Sequence, residues 1–199
     1  IDTFTQRMFY DWDIHPETVT QDTEIHALYT EAVISLDSIP SKTLYSFDDS
    51  AVDSSGMKVT ITISTQTQNF DSNGNRVMDV QQTDISSTCT LVPNNAKEAF
   101  KNSDTAEIKI YPISSSVAVG SYNISLDILR GDINDDGAID SSDASAVIHH
   151  YASYSIGIDD GFTEFQVRKA DFNNDGVVNA SDSSEILRYY AEKSSGKIQ

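Results

Sequence analysis

Gly131-Asp132-Ile133-Asn134-Asp135-Asp136-Gly137-Ala138-Ile139-Asp140-Ser141-Ser142-Asp143 is the stretch on which the reading of this 199-residue chain turns. It returns 39 residues later as Ala170-Asp171-Phe172-Asn173-Asn174-Asp175-Gly176-Val177-Val178-Asn179-Ala180-Ser181-Asp182. Counted from Asp132, oxygen-bearing side chains stand at loop positions 1, 3, 5, 9 and 12: Asp132, Asn134, Asp136, Asp140 and Asp143. Counted from Asp171 they are Asp171, Asn173, Asp175, Asn179 and Asp182. Glycine holds position 6 in both, Gly137 and Gly176, and the position-7 carbonyls of Ala138 and Val177 add a further oxygen each. This is the ligand spacing of a twelve-residue calcium loop. Ca²⁺ is a hard ion that takes about 6–8 oxygens, so carboxylates and carbonyls must converge on it. Two loops in register count against plain acidic turns, and the expectation is two calcium ions.

The flanks depart from the helix–loop–helix pattern. Tyr122 to Ile128 alternates strictly and reads as a strand, which leaves no entering helix for the first loop. Position 12 is aspartate in both copies, where glutamate is usual. The segment after each loop reads as a helix. Asp143 to Tyr154 places Ala144, Val147 and Tyr151 on one stripe, and Asp182 to Lys193 places Ser183, Ile186 and Tyr190 on the same offsets. Between the two, Gly157 and Gly161 break the chain, and a further short helix is expected over Phe162 to Ala170.

This duplicated half-hand resembles the dockerin domain of bacterial cellulosomes, from Gly131 to about Lys193. The motif that carries the resemblance is Gly-Asp-x-Asn-x-Asp-Gly-x-x-(Asn/Asp)-x-x-Asp. It continues as Ala144-Ser145-Ala146-Val147-Ile148-His149-His150-Tyr151-Ala152, and in the second copy as Ser183-Ser184-Glu185-Ile186-Leu187-Arg188-Tyr189-Tyr190-Ala191. The Ser-Asp-Ala-Ser and Tyr-Ala signatures resemble dockerins of ruminococcal type. The resemblance implies a non-catalytic all-α module with two calcium F-hand loops that binds a cohesin domain on a scaffoldin or cell-surface anchor. It also implies a cohesin-contacting face made by Ser141, Ser142, Ile148 and His149 in one copy and Ala180, Ser181, Leu187 and Arg188 in the other. Ile148 and Leu187 are apolar on a side the core stripe does not claim. The competing reading is that they widen the core between the helices. The copies differ at His149 versus Arg188 and Ser153 versus Glu192, which counts against two equivalent binding modes.

Upstream, the pattern is that of strands. Lys58 to Ser64, Ser87 to Val92 and Glu107 to Tyr111 alternate, with turn signals at Ser54-Ser55-Gly56, Asp71 to Asn75, Pro93-Asn94-Asn95 and Val119-Gly120-Ser121. Asn73-Gly74 between two strand runs signals a hairpin. Two or three strands are expected within Thr3 to Ile14 and Glu24 to Ser35, interrupted at His15-Pro16, and one helical turn at Ala96 to Asn102. The expected fold is therefore α+β and multidomain: an antiparallel β-sandwich over 1–129, then a helical domain over 130–199. Ile39 to Tyr45, Val52 to Val59 and Val119 to Ile124 resemble bacterial Ig-like domains. Beside a dockerin such a domain resembles an X-module, which buttresses its neighbour. The run Leu129-Arg130-Gly131-Asp132 has no Gly/Ser- or Pro-rich spacer, which fits that reading.

Composition narrows the function. A net charge of −18 excludes a nucleic-acid partner, whose phosphates would repel the chain. Much of that acidity sits in the two loops, where bound ions would offset it. A single cysteine, Cys89, forbids an intrachain disulfide. No run spans a membrane, and the abrupt start at Ile1-Asp2 without a signal peptide is expected of a piece of a longer polypeptide. The dockerin resemblance implies secretion to the cell exterior, and calcium loops suit that compartment.

Catalytic signatures are absent: no Gly-x-Ser-x-Gly, no His-Glu-x-x-His and no phosphate-cradling glycine loop. Neighbours His149 and His150 point about 100° apart on a helix and make a poor chelate. His15 and His26 stand isolated, and Asp48-Asp49 and Asp159-Asp160 read as solvated turns. Trp12 with Phe9 and Tyr10 is either a sugar-stacking platform or, the favoured reading, core or edge packing. The rival function is a carbohydrate-binding module in 1–129 carrying its own dockerin, with polysaccharide contact.

Overall fold

The computed structural model describes residues 3–14, 22 and 24–198; the interruption expected at His15-Pro16 lies outside them. The chain divides into two compact units, Ile1–Leu126 and Asp127–Gln199. Among the described residues no helix is long and apolar enough to cross a membrane.

Among its described residues the first unit holds eight strands: β1 (Thr3–Trp12), β2 (Ala27–Ser38), β3 (Leu44–Tyr45), β4 (Lys58–Phe70), β5 (Arg76–Asp84), β6 (Thr90–Val92), β7 (Thr105–Tyr111) and β8 (Gly120–Leu126). They form two four-stranded sheets, β1-β2-β4-β5 and β3-β8-β7-β6. The first sheet is antiparallel throughout, closed at one corner by the Asn73-Gly74 turn. There the Asp71 carboxylate accepts the Asn73 and Asn75 amides, and Gly74 takes φ +82. Leu36 of β2 and Gly120 of β8 bring the sheets together: a Cβ at Gly120 would lie 2.5 Å from Leu36 Cδ2. Leu28, Leu36 and Val59 from one sheet, and Tyr45, Ile108, Ile110, Ile124 and Leu126 from the other, are buried. β8 alternates buried and exposed along its length, the period-2 signature of a strand with one face inward.

Four details differ from the sequence reading. The sheets are not wholly antiparallel, because β3 pairs parallel to β8 through Leu44↔Ser125 and Tyr45↔Leu126. Two residues leave no periodicity to read, and burial of Tyr45 fixes them in place. The alternation over Ser87 to Val92 is half real: Ser86–Thr88 is a 3₁₀ turn and only Thr90–Val92 is strand. The last strand stops at Leu126, so Asp127 to Leu129 are neither strand nor helix. Phe9, Tyr10 and Trp12 are exposed on edge strand β1, with Phe9 and Trp12 rings 5.2 Å apart, so of the favoured core-or-edge reading the core part fails and the edge part stands. A single turn, α1 (Ala96–Ala99), is capped by the Asn95 side chain accepting from Glu98 N.

The second unit holds α2 (Ser141–Ser155), α3 (Glu164–Ala170) and α4 (Ala180–Ser194). Ile133, Ile139, Ala144, Val147, Ala170 and Ile186 form its core, with Phe162, Phe172, Val178 and Tyr189 packed against them. Fully burying a side chain such as Val147 or Ile186 is worth about 1.5–3 kcal/mol. Tyr151 and Tyr190, expected on the same stripe, are exposed instead. Gly157 at φ +73 follows the end of α2 and lets the chain turn away.

Candidate cation loops and the exposed helix face

The two loops repeat the same main-chain bonds to their position-1 and position-12 carboxylates. Asp143 Oδ1 accepts from Ile133 N at 2.7 Å and Asn134 N at 3.3 Å, and its Oδ2 from Asp140 N at 3.0 Å. Asp182 Oδ1 accepts from Phe172 N at 3.0 Å and Asn173 N at 3.3 Å, and its Oδ2 from Asn179 N at 2.9 Å. At the other end of each loop, the Asp132 carboxylate accepts from Asp136 N and Gly137 N, and Asp171 from Asp175 N and Gly176 N. Asn134 and Asn173 each donate their amide to the carboxylate two residues on, Asp136 and Asp175.

Position 9 and position 12 also start the next helix. Asp140 caps α2 and Asp143, three residues into it, returns a bond to the Asp140 amide; Asn179 and Asp182 do the same for α4. This explains the aspartate at position 12. Its carboxylate must bond the loop's own N–H groups and the cap at once, which a short side chain does. The amide and hydroxyl of Ser142 hold the Asp140 carboxyl below the ordinary carboxylate range.

The donor chemistry fits a hard cation. Asp143 and Asp182 are 0 % exposed and Asp132 is buried as well, yet among the described residues none of the three has a Lys, Arg or His partner. A buried carboxylate without a counter-charge is costly, and a divalent ion supplies one. Among the described residues no three His, Cys, Asp or Glu side chains close into a metal-holding group by themselves. The donor set is mixed, with Asn oxygens and main-chain carbonyls beside the carboxylates. The residues that would hold the ions are Asp132, Asn134, Asp136, Ala138, Asp140 and Asp143, and Asp171, Asn173, Asp175, Val177, Asn179 and Asp182. Of the carbonyls at position 7, that of Val177 accepts from Asn179 Nδ2 at 3.2 Å.

The loops differ in how the chain arrives. The first comes after residues without regular structure, whereas α3 runs straight into the second, with Asp171 as its C-terminal cap. The sequence reading of a loop plus exiting helix describes the first copy, and the short helix expected over Phe162 to Ala170 is α3, which enters the second.

The eight residues expected on the partner face include Ser141, Ser142, Ile148 and His149 on α2 and Ala180, Ser181, Leu187 and Arg188 on α4, and all are exposed. Ile148 is 42 % and Leu187 46 % exposed, so neither widens the core. Tyr151, Tyr154, Ile156 and Ile158 add exposed apolar surface at the end of α2 and just beyond it, a feature hidden from sequence reading by its lack of period. His149 and His150 do not share a partner equally. His150 Nδ1 lies 2.9 Å from Asp160 and its ring stacks on Phe162 at 4.2 Å, whereas His149 is a surface residue. Asp160, read as a solvated turn, is in fact buried at its side chain. Burial raises its carboxyl, and the His150 hydrogen bond, the Phe162 amide and the His150 charge together outweigh that, leaving it below the ordinary range. His26, read as isolated, bridges Asp13 and Glu24.

Residues 130–190 match the family model described as Dockerin type I domain. Such domains are non-catalytic, bind calcium and recognise cohesins in extracellular cellulosomes. A comparison of the whole chain with curated proteins finds no match, and nothing in the comparisons supports a carbohydrate-binding module in residues 1–129.

Proposed function

We propose, from the type I dockerin match over residues 130–190, that this chain is a calcium-dependent adhesion module. It docks the polypeptide that carries it onto a cohesin of a scaffoldin or cell-surface anchor. The observation that carries the reading is the duplicated loop lying within the matched stretch: the same carboxylates take the same N–H groups in both copies. Two ions, one per loop, complete those carboxylates and set the register of α2 and α4, since the ligands at positions 9 and 12 are also the helix caps.

The cohesin-facing surface is the exposed side of α2 and α4, centred on Ile148 and Leu187 with Ser141, Ser142, His149, Ala180, Ser181 and Arg188 around them. Apolar centres ringed by polar residues are how protein interfaces concentrate binding energy. The N-terminal unit is an X-module-like, Ig-like β-domain that stabilises the dockerin, a reading supported by the missing spacer at Leu129-Arg130-Gly131. The ruminococcal affinity rests on the Ser-Asp-Ala-Ser and Tyr-Ala signatures, and secretion on the company cellulosomal modules keep.

A pull-down against a panel of cohesins, with calcium and with EGTA, tests the reading. Capture of at least one cohesin in calcium and its loss in EGTA is expected. Failure to retain any cohesin in calcium, or equal retention in EGTA, contradicts it.

A further inference from the structure

The residues two places ahead of the first ligand in each loop are Arg130 and Lys169, equivalent positions of the duplication. Each reaches into the other half. Lys169, with its side chain only 4 % exposed, pairs its ammonium with Asp135 at position 4 of the first loop. Arg130 donates from Nη1 to the carbonyls of Arg168 at 2.6 Å and Asp171 at 2.9 Å, at the mouth of the second loop. Main chain and side chain make the same crossing. Gly131 N donates to Lys169 O at 2.9 Å, and Gln166 Nε2 to Ile133 O at 3.4 Å. A Cβ at Gly131 would meet the Phe172 ring at 2.8 Å, so the openings of the two loops pack directly on each other.

From this geometry we infer that Arg130 and Lys169 are positioning residues that couple the two cation loops, so that an ion in one loop raises the affinity of the other. This inference rests on the reading of the loops as calcium sites. The physical reason is that a buried ammonium needs its partner. The last turn of α3 settles only when the first loop presents Asp135, and that turn ends on Asp171, the first ligand of the second loop. Asp135 sits at φ +60, a left-handed conformation that an ordered loop holds and a loose one does not. Ordering either loop therefore pre-forms the other, and the entropy is lost once instead of twice. Asp135 is not itself at a ligand position, so the ammonium does not compete with the ion.

The two position-6 glycines, Gly137 and Gly176, report each loop separately. Their amide signals are followed by NMR as calcium is added to the chelator-stripped full chain. In the native chain both move over the same calcium range. In Asp135→Asn, which removes the ion pair at a residue whose side chain is 68 % exposed and so leaves the core intact, the two transitions separate by roughly fivefold or more in calcium concentration. Lys169→Met, with the stem kept and the charge removed, separates them likewise. Unchanged, coincident transitions in both variants overturn the coupling, as do separated transitions in the native chain. Glycine signals that ignore calcium altogether in the native chain would instead overturn the calcium reading on which the coupling stands.

Discussion

Ser183 Oγ donates to the carbonyl oxygen of Ala144 at 2.8 Å, and these two residues occupy the same place in the two copies of the repeat. The contact therefore marks where the duplication meets itself: α2 and α4 cross with the first turns of both helices in touch, immediately beyond the position-12 carboxylates Asp143 and Asp182. Sequence divergence at this one pair, serine against alanine, lets a hydroxyl bridge a gap that two alanines would leave.

Replacing Ser183 with alanine removes a buried hydrogen bond and should lower stability by about 0.5–1.5 kcal/mol. Thermal unfolding in saturating calcium reads it. The calcium stoichiometry should not change, because Ser183 is no ligand, and an unaltered melting curve would show that the contact contributes nothing.

Two glycine substitutions separate backbone strain from packing. Gly137, at φ +83, has open space around a would-be Cβ, so Gly137→Ala should cost about 1–2 kcal/mol from the left-handed backbone alone. Gly131, at φ +89, adds a collision with Phe172, and overpacking contributes about 1–3 kcal/mol more. Equal losses for the two in denaturant titration would mean that the loop openings do not pack as described.

Chelation should act on one unit only. With EGTA, the buried carboxylates Asp132, Asp143 and Asp182 lose their counter-charge, and amides of residues 127–199 should lose protection from hydrogen exchange. Those of Ile108, Ile110 and Ile124 in the β-unit should keep theirs. Loss of protection throughout the chain, or none anywhere, would contradict a calcium requirement confined to the loops.

Removing residues 1–126 tests whether the β-unit supports its neighbour. The proposal expects a lower melting temperature for the remaining 127–199 in saturating calcium. Melting identical to the intact chain would leave the N-terminal unit without that role.

The features legible in advance were those the local chain records. The duplicated oxygen spacing marks the two loops because each lies on one contiguous segment, and α2 and α4 begin and end within a residue or two of the expected bounds. The exposure of Ile148 and Leu187 was legible because a helical stripe claims only part of the surface. Lys169 and Arg130 were not, since their partners lie in the other copy and no pattern around either residue announces them. Asp160 escaped for the same reason: its partner His150 sits across a loop, and an acidic pair beside glycine looks like any solvated turn. The parallel pairing of Leu44 and Tyr45 with β8 depends on burial of one tyrosine, which two residues of sequence cannot convey. The alternation read over Ser87 to Val92 overreached at its start, where Ser86, Ser87 and Thr88 are all polar and the chain makes a 3₁₀ turn instead of a strand.

Docking of a cohesin through the exposed face of α2 and α4 makes a sharp demand on Ile148 and Leu187. A cognate cohesin is titrated with Ile148→Asp, Leu187→Asp and the double variant. Each substitution sets a carboxylate against the partner, and burial of an uncompensated charge costs several kcal/mol. The double variant should fold and bind calcium as the native chain does but lose the cohesin. If one binding mode dominates, one single variant fails alone; if both copies serve, each single variant stays near native affinity. A folded, calcium-loaded double variant that binds its cohesin normally would contradict docking through this face.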